Sequence, residues 1–510
     1  MEVLRRQVAG LSEQVKAVEA SLYSRRTDGK GSSFSDVDLT PYARLTGLID
    51  DLCRAQQVGD GVLSWNREDN FGQLLEWLAT SAGSAVSRVT IACTGERGYG
   101  VCVTEEIPAD DEEPLVKIPL TCCIGPDVRS NFVIGQCISA FPLPDNLKMA
   151  AFLMSEASNT EKSRWKAYLK SLPIKHETIL HLDAEAVAIL QGSLYFDDVI
   201  RRFCSVCKHY INCVAAIDLS DKFSKSEKNK FADAFTFNLF RWALDIVMTR
   251  GNALPLNPEG QLSNGTTSAT VALIPFLDML NHQQNASKFG VVETRTADGP
   301  TSAFCELRLL SGQSLHSGQE VFMNYSALSV KERFLNHGFL TPEEGTLQIP
   351  IEVSLVDEDV PELSKESSLS RIVHKVADGR TVLLAEFEPE GEPTQGTLRL
   401  LRYVASRQTG ETSSTNGFPS LDKPLPPVQE KLPYMLIVKT ATALLKRPVP
   451  TLSAENLPHS SLQRLCYEQV LLEHRRLQSV LNYCTPKLKS LLNDIVTSSK
   501  RVSSSLPQVS

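Results

Sequence analysis

A chain of 510 residues is too long for one hydrophobic core and implies two or three domains. Its 42% hydrophobic content is that of a soluble globular protein, and no apolar run approaches the roughly 18 residues a membrane span needs. A net charge of -8 argues against a general nucleic-acid binder, which shows a basic balance or stripe. Met1 to Arg26 lacks the compact apolar core and cleavage site of a secretion signal, so the 12 cysteines read as reduced, mostly packed thiols. The expected compartment is the cytoplasm, with the nucleus as alternative.

Residues 1–35 begin with Leu4, Val8, Leu11, Val15, Val18 and Leu22, a short heptad seam interrupted by Gly10. An amphipathic helix docked on its own protein explains the seam, and weak self-association through residues 1–24 is the alternative. A polar, Gly/Ser-rich linker runs to Ser35. Residues 36–126 carry a helix with Tyr42, Leu45, Leu48 and Ile49 on one face and a second at Leu74, Leu75 and Trp77. Strands follow: Val89, Ile91 and Cys93 alternate with polar positions, Gly95 to Gly100 turns, Val101-Cys102-Val103 resumes, and Leu115 to Pro119 is closed by proline. Residues 127–250 switch to helical periodicity, and in residues 251–345 strands return between Thr270 and Tyr325. Residues 346–510 start with a strand at 348–351 and become helical near 398–404, 434–445 and 462–492. Residues 406–431, poor in large apolar side chains, read as a long mobile loop. The fold class is therefore α+β, with β-rich segments flanking a helical insert and a helical domain at the end.

Two signatures stand in one order. Leu273-Ile274-Pro275-Phe276-Leu277-Asp278-Met279-Leu280-Asn281-His282 comes first. Gly318-Gln319-Glu320-Val321-Phe322-Met323-Asn324-Tyr325 follows, ahead of Asn336-His337-Gly338-Phe339. With Gly98-Tyr99-Gly100 upstream, this order resembles the SET-domain methyltransferases. The surrounding pattern resembles their Rubisco large-subunit methyltransferase class: a split SET core, an inserted helical subdomain and a helical C-terminal substrate-binding domain. The resemblance implies S-adenosyl-L-methionine as cofactor and a non-histone protein as substrate.

Carried over residue by residue, it implies that Tyr99 and Gly100 approach the cofactor through the backbone. Arg97 stands where the family often has Glu. Arg250, closing Val247-Met248-Thr249-Arg250, is implied to meet the cofactor's carboxylate, a task that suits a planar guanidinium. Arg67, in Asn66-Arg67-Glu68-Asp69, is implied to reach the same carboxylate. Asn281 and His282 would hold the adenine, Phe339 would stack on it, and Asp278 would lie in the same pocket. Tyr325 would stand at the methyl-transfer point, where a phenol neutral at pH 7 can bond the incoming nucleophile without acting as a strong base. Each has a plainer alternative: a surface ion pair for Arg250, an Asx turn with a packed histidine for Asn281-His282, and core packing for Phe339.

Val247 to Asn252, Ala272 to Pro275, Asp278-Met279 and the Arg67 element resemble the actin-histidine branch more than the Rubisco-lysine branch. That likeness implies a histidine acceptor on actin or an actin-like protein, with Asn252 bonding one imidazole nitrogen. Leu277, where the branch has Trp, leaves one wall of the acceptor pocket less aromatic, and Leu328 replaces an Arg. A polar insertion lies between Pro255 and Thr270. A lysine acceptor is thus the alternative, and a catalytically silent SET protein serving as a binding module is the rival from another class. The cluster Cys204, Cys207, His209 and Cys213 sits in a helical pattern, and four ligands so spaced on one helix cannot face one metal ion. No metal is expected.

Overall fold

The computed structural model describes residues 1–27, 37–56, 63–125, 132–254, 270–294, 302–326, 328–353, 373–375, 381–408, 422–450 and 460–504. The insertion between Pro255 and Thr270, like most of the linker up to Ser35, lies outside them.

The strands are β1 (Val89–Cys93), β2 (Tyr99–Val103), β3 (Val116–Pro119), β4 (Asn252–Leu254), β5 (Thr270–Ala272), β6 (Asn281–His282), β7 (Phe289–Thr294), β8 (Ser302–Leu307), β9 (Glu320–Met323), β10 (Leu347–Val353), β11 (Val373–Lys375) and β12 (Thr381–Phe387). β1 and β2 form the antiparallel hairpin expected from Val89, Ile91 and Cys93, with Cys93 opposite Tyr99. Gly98 turns the corner at φ 77°, a conformation that a Cβ would disfavour. β2 pairs antiparallel with β9, and β9 pairs in parallel with the two-residue β6, giving the order β1-β2-β9-β6. Segments far apart in the chain, 99–103, 281–282 and 320–323, thus become neighbours in one sheet. A second sheet orders β3-β8-β7, β4 pairs with β5, and β10-β12-β11 form a third sheet after the core.

Between β3 and β4 the chain is helical, through Val133–Ser139, Asp145–Ala157, Lys166–Ser171, Ala184–Ile189, Phe196–Leu219, Lys225–Ala234 and Phe237–Arg250. The local chemistry explains the boundaries. Ser224 and Glu227 form a capping box, and the Thr236 hydroxyl accepts from the Leu239 amide to start Phe237–Arg250. Cys204, Cys207 and Cys213 lie on the Phe196–Leu219 helix with buried thiols. Among the described residues no group of three or more His, Cys, Asp or Glu is placed to hold a metal ion.

Leu4, Val8, Leu11, Val15, Val18 and Leu22 are all buried on the Glu2–Thr27 helix, which packs against the Phe196–Leu219 and Thr40–Ala55 helices. Arg5 adds a two-point ion pair to Asp218 at 2.7 and 2.9 Å. The seam available for self-association is therefore occupied by the chain itself. On Thr40–Ala55 the buried face is Tyr42, Leu45, Ile49 and Leu52, whereas Leu48 is exposed because it points a quarter-turn away.

The expected loop at 406–431 is shortened at both ends, and its middle, 409–421, lies outside the described residues. The helix Gln395–Gln408 runs into it, and the helix Pro427–Leu444 begins before it ends and continues through Pro433. Pro427 suits a first helical turn, and the buried pair Arg402–Glu430, 2.6 Å apart, anchors that turn to its neighbour. The last helix, Ser461–Ser504, packs along Pro427–Leu444. No helix among the described residues is long and apolar enough to cross a membrane.

Candidate active site

A cavity of about 790 Å³ opens where the hairpin, β6, the end of the Phe237–Arg250 helix and the 337–341 turn meet. Arg97, Tyr99, Arg250, Asp278, Asn281 and His282 line it, with Tyr325 and Phe339. Sequence separation gives no hint of this gathering; the parallel β6–β9 pair produces it.

Gly100 leaves room for that gathering. A Cβ there would come within 2.6 Å of Glu320 Oε1 and 2.8 Å of Asn281 Nδ2, and these two side chains are themselves joined at 2.7 Å. Gly100→Ala should therefore push Asn281 out of place and weaken binding of a ligand in the cavity about tenfold, with the fold retained. Isothermal calorimetry with S-adenosylhomocysteine measures it, and unchanged affinity would remove Asn281 from the binding surface. Arg97 stands at the mouth, half-exposed, paired with Glu320 at 2.6 Å and lying over the Phe322 ring.

At the opposite end, charge is concentrated. Asp278 is buried and accepts from the Tyr168 hydroxyl at 2.6 Å. Arg250 donates through Nη1 to the Asp278 carbonyl at 2.7 Å and lies 3.6 Å from the Asp278 carboxylate. Burial raises the Asp278 carboxyl, while Arg250, Tyr168 and Arg67 oppose the rise. Arg67 is pushed down to about 10 by burial and by the nearby Arg250, and it rests over Phe71 and Tyr99. Arg67 Nε and Asp278 Oδ1 are both buried without a protein partner. Two guanidiniums thus face one internal carboxylate.

Tyr325 lies two residues past the end of β9. Its hydroxyl donates to the Leu280 carbonyl at 2.5 Å, and its amide lies 3.2 Å from His282 Nδ1. Burial pushes the phenol up to about 12, partly opposed by Arg250. His282 is lowered by burial and by Arg333, and His337 falls to about 4, chiefly through burial. The two described non-glycine residues with positive φ, Phe276 at 70° and Ser326 at 111°, lie just before Leu277 and just after Tyr325. Strained backbone of this kind costs about 1–3 kcal/mol each and persists where the surroundings over-determine it.

Two expected substrate residues lie off this cavity. Asn252 starts β4, where its Nδ2 donates to the Arg250 carbonyl at 3.0 Å, leaving its amide oxygen unassigned. Leu277 is fully buried in the short 3-10 turn Leu277–Met279 and does not line the cavity, because that turn directs it into the core. Sequence reading missed His337, Glu177, Ser461, Arg464 and Glu468, which also line the cavity. His337 lay inside a quoted motif. The start of Ser461–Ser504 carried no signal, since its contact is purely tertiary.

No protein-family profile matches this chain. It is similar to the curated actin-histidine N-methyltransferase of Gallus gallus, 25% identical over 353 residues, which cover 68% of this chain and 54% of that protein. The Xenopus tropicalis protein of the same name is 26% identical over 303 residues, covering 58% and 48%. The chain thus spans about half the length of the curated relatives it matches. Among solved structures it resembles the SET domain of LSMT bound to lysine and AdoHcy, at TM-score 0.58 and 19% identity, over 83% of this chain and 92% of that one. Rubisco LSMT bound to AdoMet aligns at TM-score 0.55 and 18% identity, covering 83% and 93%. At that identity the likeness defines the fold, and this chain has the SET-domain fold, α+β with a helical C-terminal region. The class and branch expected from the motifs are the ones these comparisons return.

Proposed function

We propose that this chain is an S-adenosylmethionine-dependent protein N-methyltransferase whose acceptor is a histidine of actin or an actin-like protein. One observation carries the reading: Tyr325, fixed by the Leu280 carbonyl, faces the same cavity as Asn281, His282 and the Arg250–Asp278 pair. The similarity to actin-histidine N-methyltransferases supports the acceptor.

The residues fit the cofactor. Arg250 and Arg67 outnumber the one internal carboxylate beside them, so a ligand carboxylate completes the charge balance. Asp278 Oδ1 offers an unused acceptor to an ammonium group, and Phe339 offers a ring face to an adenine. The cavity is within the size range of small-molecule sites. The bound cofactor would supply an electrophilic methyl on a sulfonium sulfur. The protein's part is alignment and exclusion of water: the cavity would hold the acceptor nitrogen with its lone pair toward that methyl and leave its proton a way to solvent. Tyr325, a neutral phenol held by the Leu280 carbonyl, would line the methyl's path. Asn252, which the motif implied for an imidazole nitrogen, lies off the cavity with its Nδ2 donated to the Arg250 carbonyl, so a bond to the acceptor would need its amide oxygen to turn toward the cavity.

A lysine acceptor is the second reading, favoured by Leu277 and Leu328 where the histidine branch has Trp and Arg. The partner in either case is a protein, encountered in the cytoplasm or nucleus, with no nucleic acid or membrane in the reaction. The test is incubation with methyl-labelled S-adenosylmethionine and purified actin, then mapping by mass spectrometry. Methyl on an actin histidine supports the proposal. Label only on lysines of other proteins moves the chain to the second reading, and no transfer with no cofactor binding leaves a binding module.

A further inference from the structure

Arg333 is the bulkiest of the fully buried side chains among the described residues, 1% exposed. It opens the π-helical turn Arg333–His337, directly after the Ser329–Glu332 capping box. Turns of this type often occur at functional sites. Its guanidinium joins three segments. Nη1 donates to the Thr341 hydroxyl, and Nη2 lies 3.3 Å from the Glu344 carboxylate and 3.3 Å from His282 Nε2. Its own carbonyl accepts from the Phe339 amide at 3.4 Å. From the last helix, Arg476 donates to the carbonyls of Glu344 and Gly345 at 3.0 and 2.9 Å, bracing the same turn.

The link continues inward. When Nε2 accepts from Arg333, the other nitrogen is the N–H and the Met323 carbonyl, two residues before Tyr325, is its backbone acceptor; the His282 and Tyr325 rings are 5.1 Å apart. A buried cation costs several kcal/mol of desolvation relative to an apolar residue of similar size, so packing alone is a poor reason to keep one here. We propose that Arg333 is a positioning residue of the active site: its guanidinium fixes the His282 ring and, through it, the backbone that carries Tyr325 into the cavity. The groups facing His282 are Arg333, Glu344, Tyr325 and Phe339, and His337 is close enough to feel its charge. Of these, Arg333 disfavours the imidazolium and Glu344, 3.7 Å away, favours it. The consequence for rate rests on the methyltransferase reading; the link to His282 does not.

The test uses the full chain with labelled histidines, His282 being assigned through His282→Gln. In Arg333→Met the His282 ring should titrate at higher pH than in the wild type, because Glu344 is then its only close charged neighbour. Methyl transfer should show kcat lower by about tenfold, with KM for the protein substrate within about threefold. The loss should deepen as pH falls from 8 to 6, and Arg333→Lys should recover part of the pH profile. Should Arg333→Met fail to fold, Glu344→Gln gives the opposite reading, a His282 titration moved to lower pH. A His282 titration unmoved in both variants, or a fall in kcat with an unchanged pH profile, would overturn the positioning role. A wild type that transfers no methyl would instead sink the methyltransferase reading while leaving the titration result standing.

Discussion

Tyr325→Phe should lower kcat for methyl transfer by about 10²-fold while leaving cofactor affinity within about threefold. The hydroxyl donates to the Leu280 carbonyl at 2.5 Å, so its oxygen is fixed with its remaining lone pairs free to line the path of the methyl. Arg250, Asn281 and Phe339, which would hold the cofactor, do not depend on it. Single-turnover transfer and calorimetry with S-adenosylhomocysteine separate the two effects. A matched loss of rate and affinity would make Tyr325 a structural residue, and no loss of either would move the transfer point elsewhere. The pH dependence sharpens the test. Tyr325 is pushed up to about 12, so it stays protonated throughout the working range. His282 is held below its ordinary value and His337 near 4, so both rings are already neutral at pH 7. Any rise in rate above that pH therefore reports the acceptor. A histidine, with a pKa of about 6.5, gives a plateau by roughly pH 8, whereas a lysine near 10.4 gives a rate still climbing at pH 9.

Much of this site was legible in the sequence because its chemistry is carried by short contiguous motifs. Asn281-His282 and Tyr325, quoted as motifs, line one cavity, and the hairpin of β1 and β2 follows from plain alternation around a Gly-rich turn. The rest depends on tertiary contact. Nothing local to Ser461, Arg464 or Glu468 says that the last helix will close a cavity built mostly from residues between Arg97 and Thr341. Leu277 was legible as a neighbour of Asp278, but a one-residue step in a 3-10 turn decides which of the two faces the cavity. Composition misled at 427–431, since a proline-rich start is compatible with a helix when proline occupies its first turn and a buried Arg402–Glu430 pair holds it. Arg333 carries no local signal: an arginine beside Lys331 and Glu332 has the pattern of a solvated face, and only the fold buries it.

Arg250→Met should destabilise the protein by about 3 kcal/mol at neutral pH, and adding Asp278→Asn should restore most of that stability. Asp278 is fully enclosed, and its charge is tolerated because Arg250, the Tyr168 hydroxyl and Arg67 surround it. Removing Arg250 takes away the largest of these supports. The sign of the pH dependence follows. Burial has already raised the Asp278 carboxyl in the folded state, so folding there favours the protonated form, and stability falls as pH rises from the unfolded value of about 3.9 through the folded one. Without Arg250 the folded value rises further and the fall is larger. The deficit of Arg250→Met should therefore be small near pH 4 and larger at pH 7, and the double variant, whose amide does not titrate, should show no such pH dependence. Urea unfolding at the two pH values measures this. Cofactor affinity should behave differently: it should drop about 10²-fold in both variants, because the charge-assisted bonds to the ligand carboxylate are lost whether or not Asp278 is neutralised. Stability restored with affinity still lost would separate Arg250's two duties, holding Asp278 and holding the ligand. Recovery of both together in the double variant would show that Arg250 serves only its buried partner and that the ligand carboxylate is bound elsewhere.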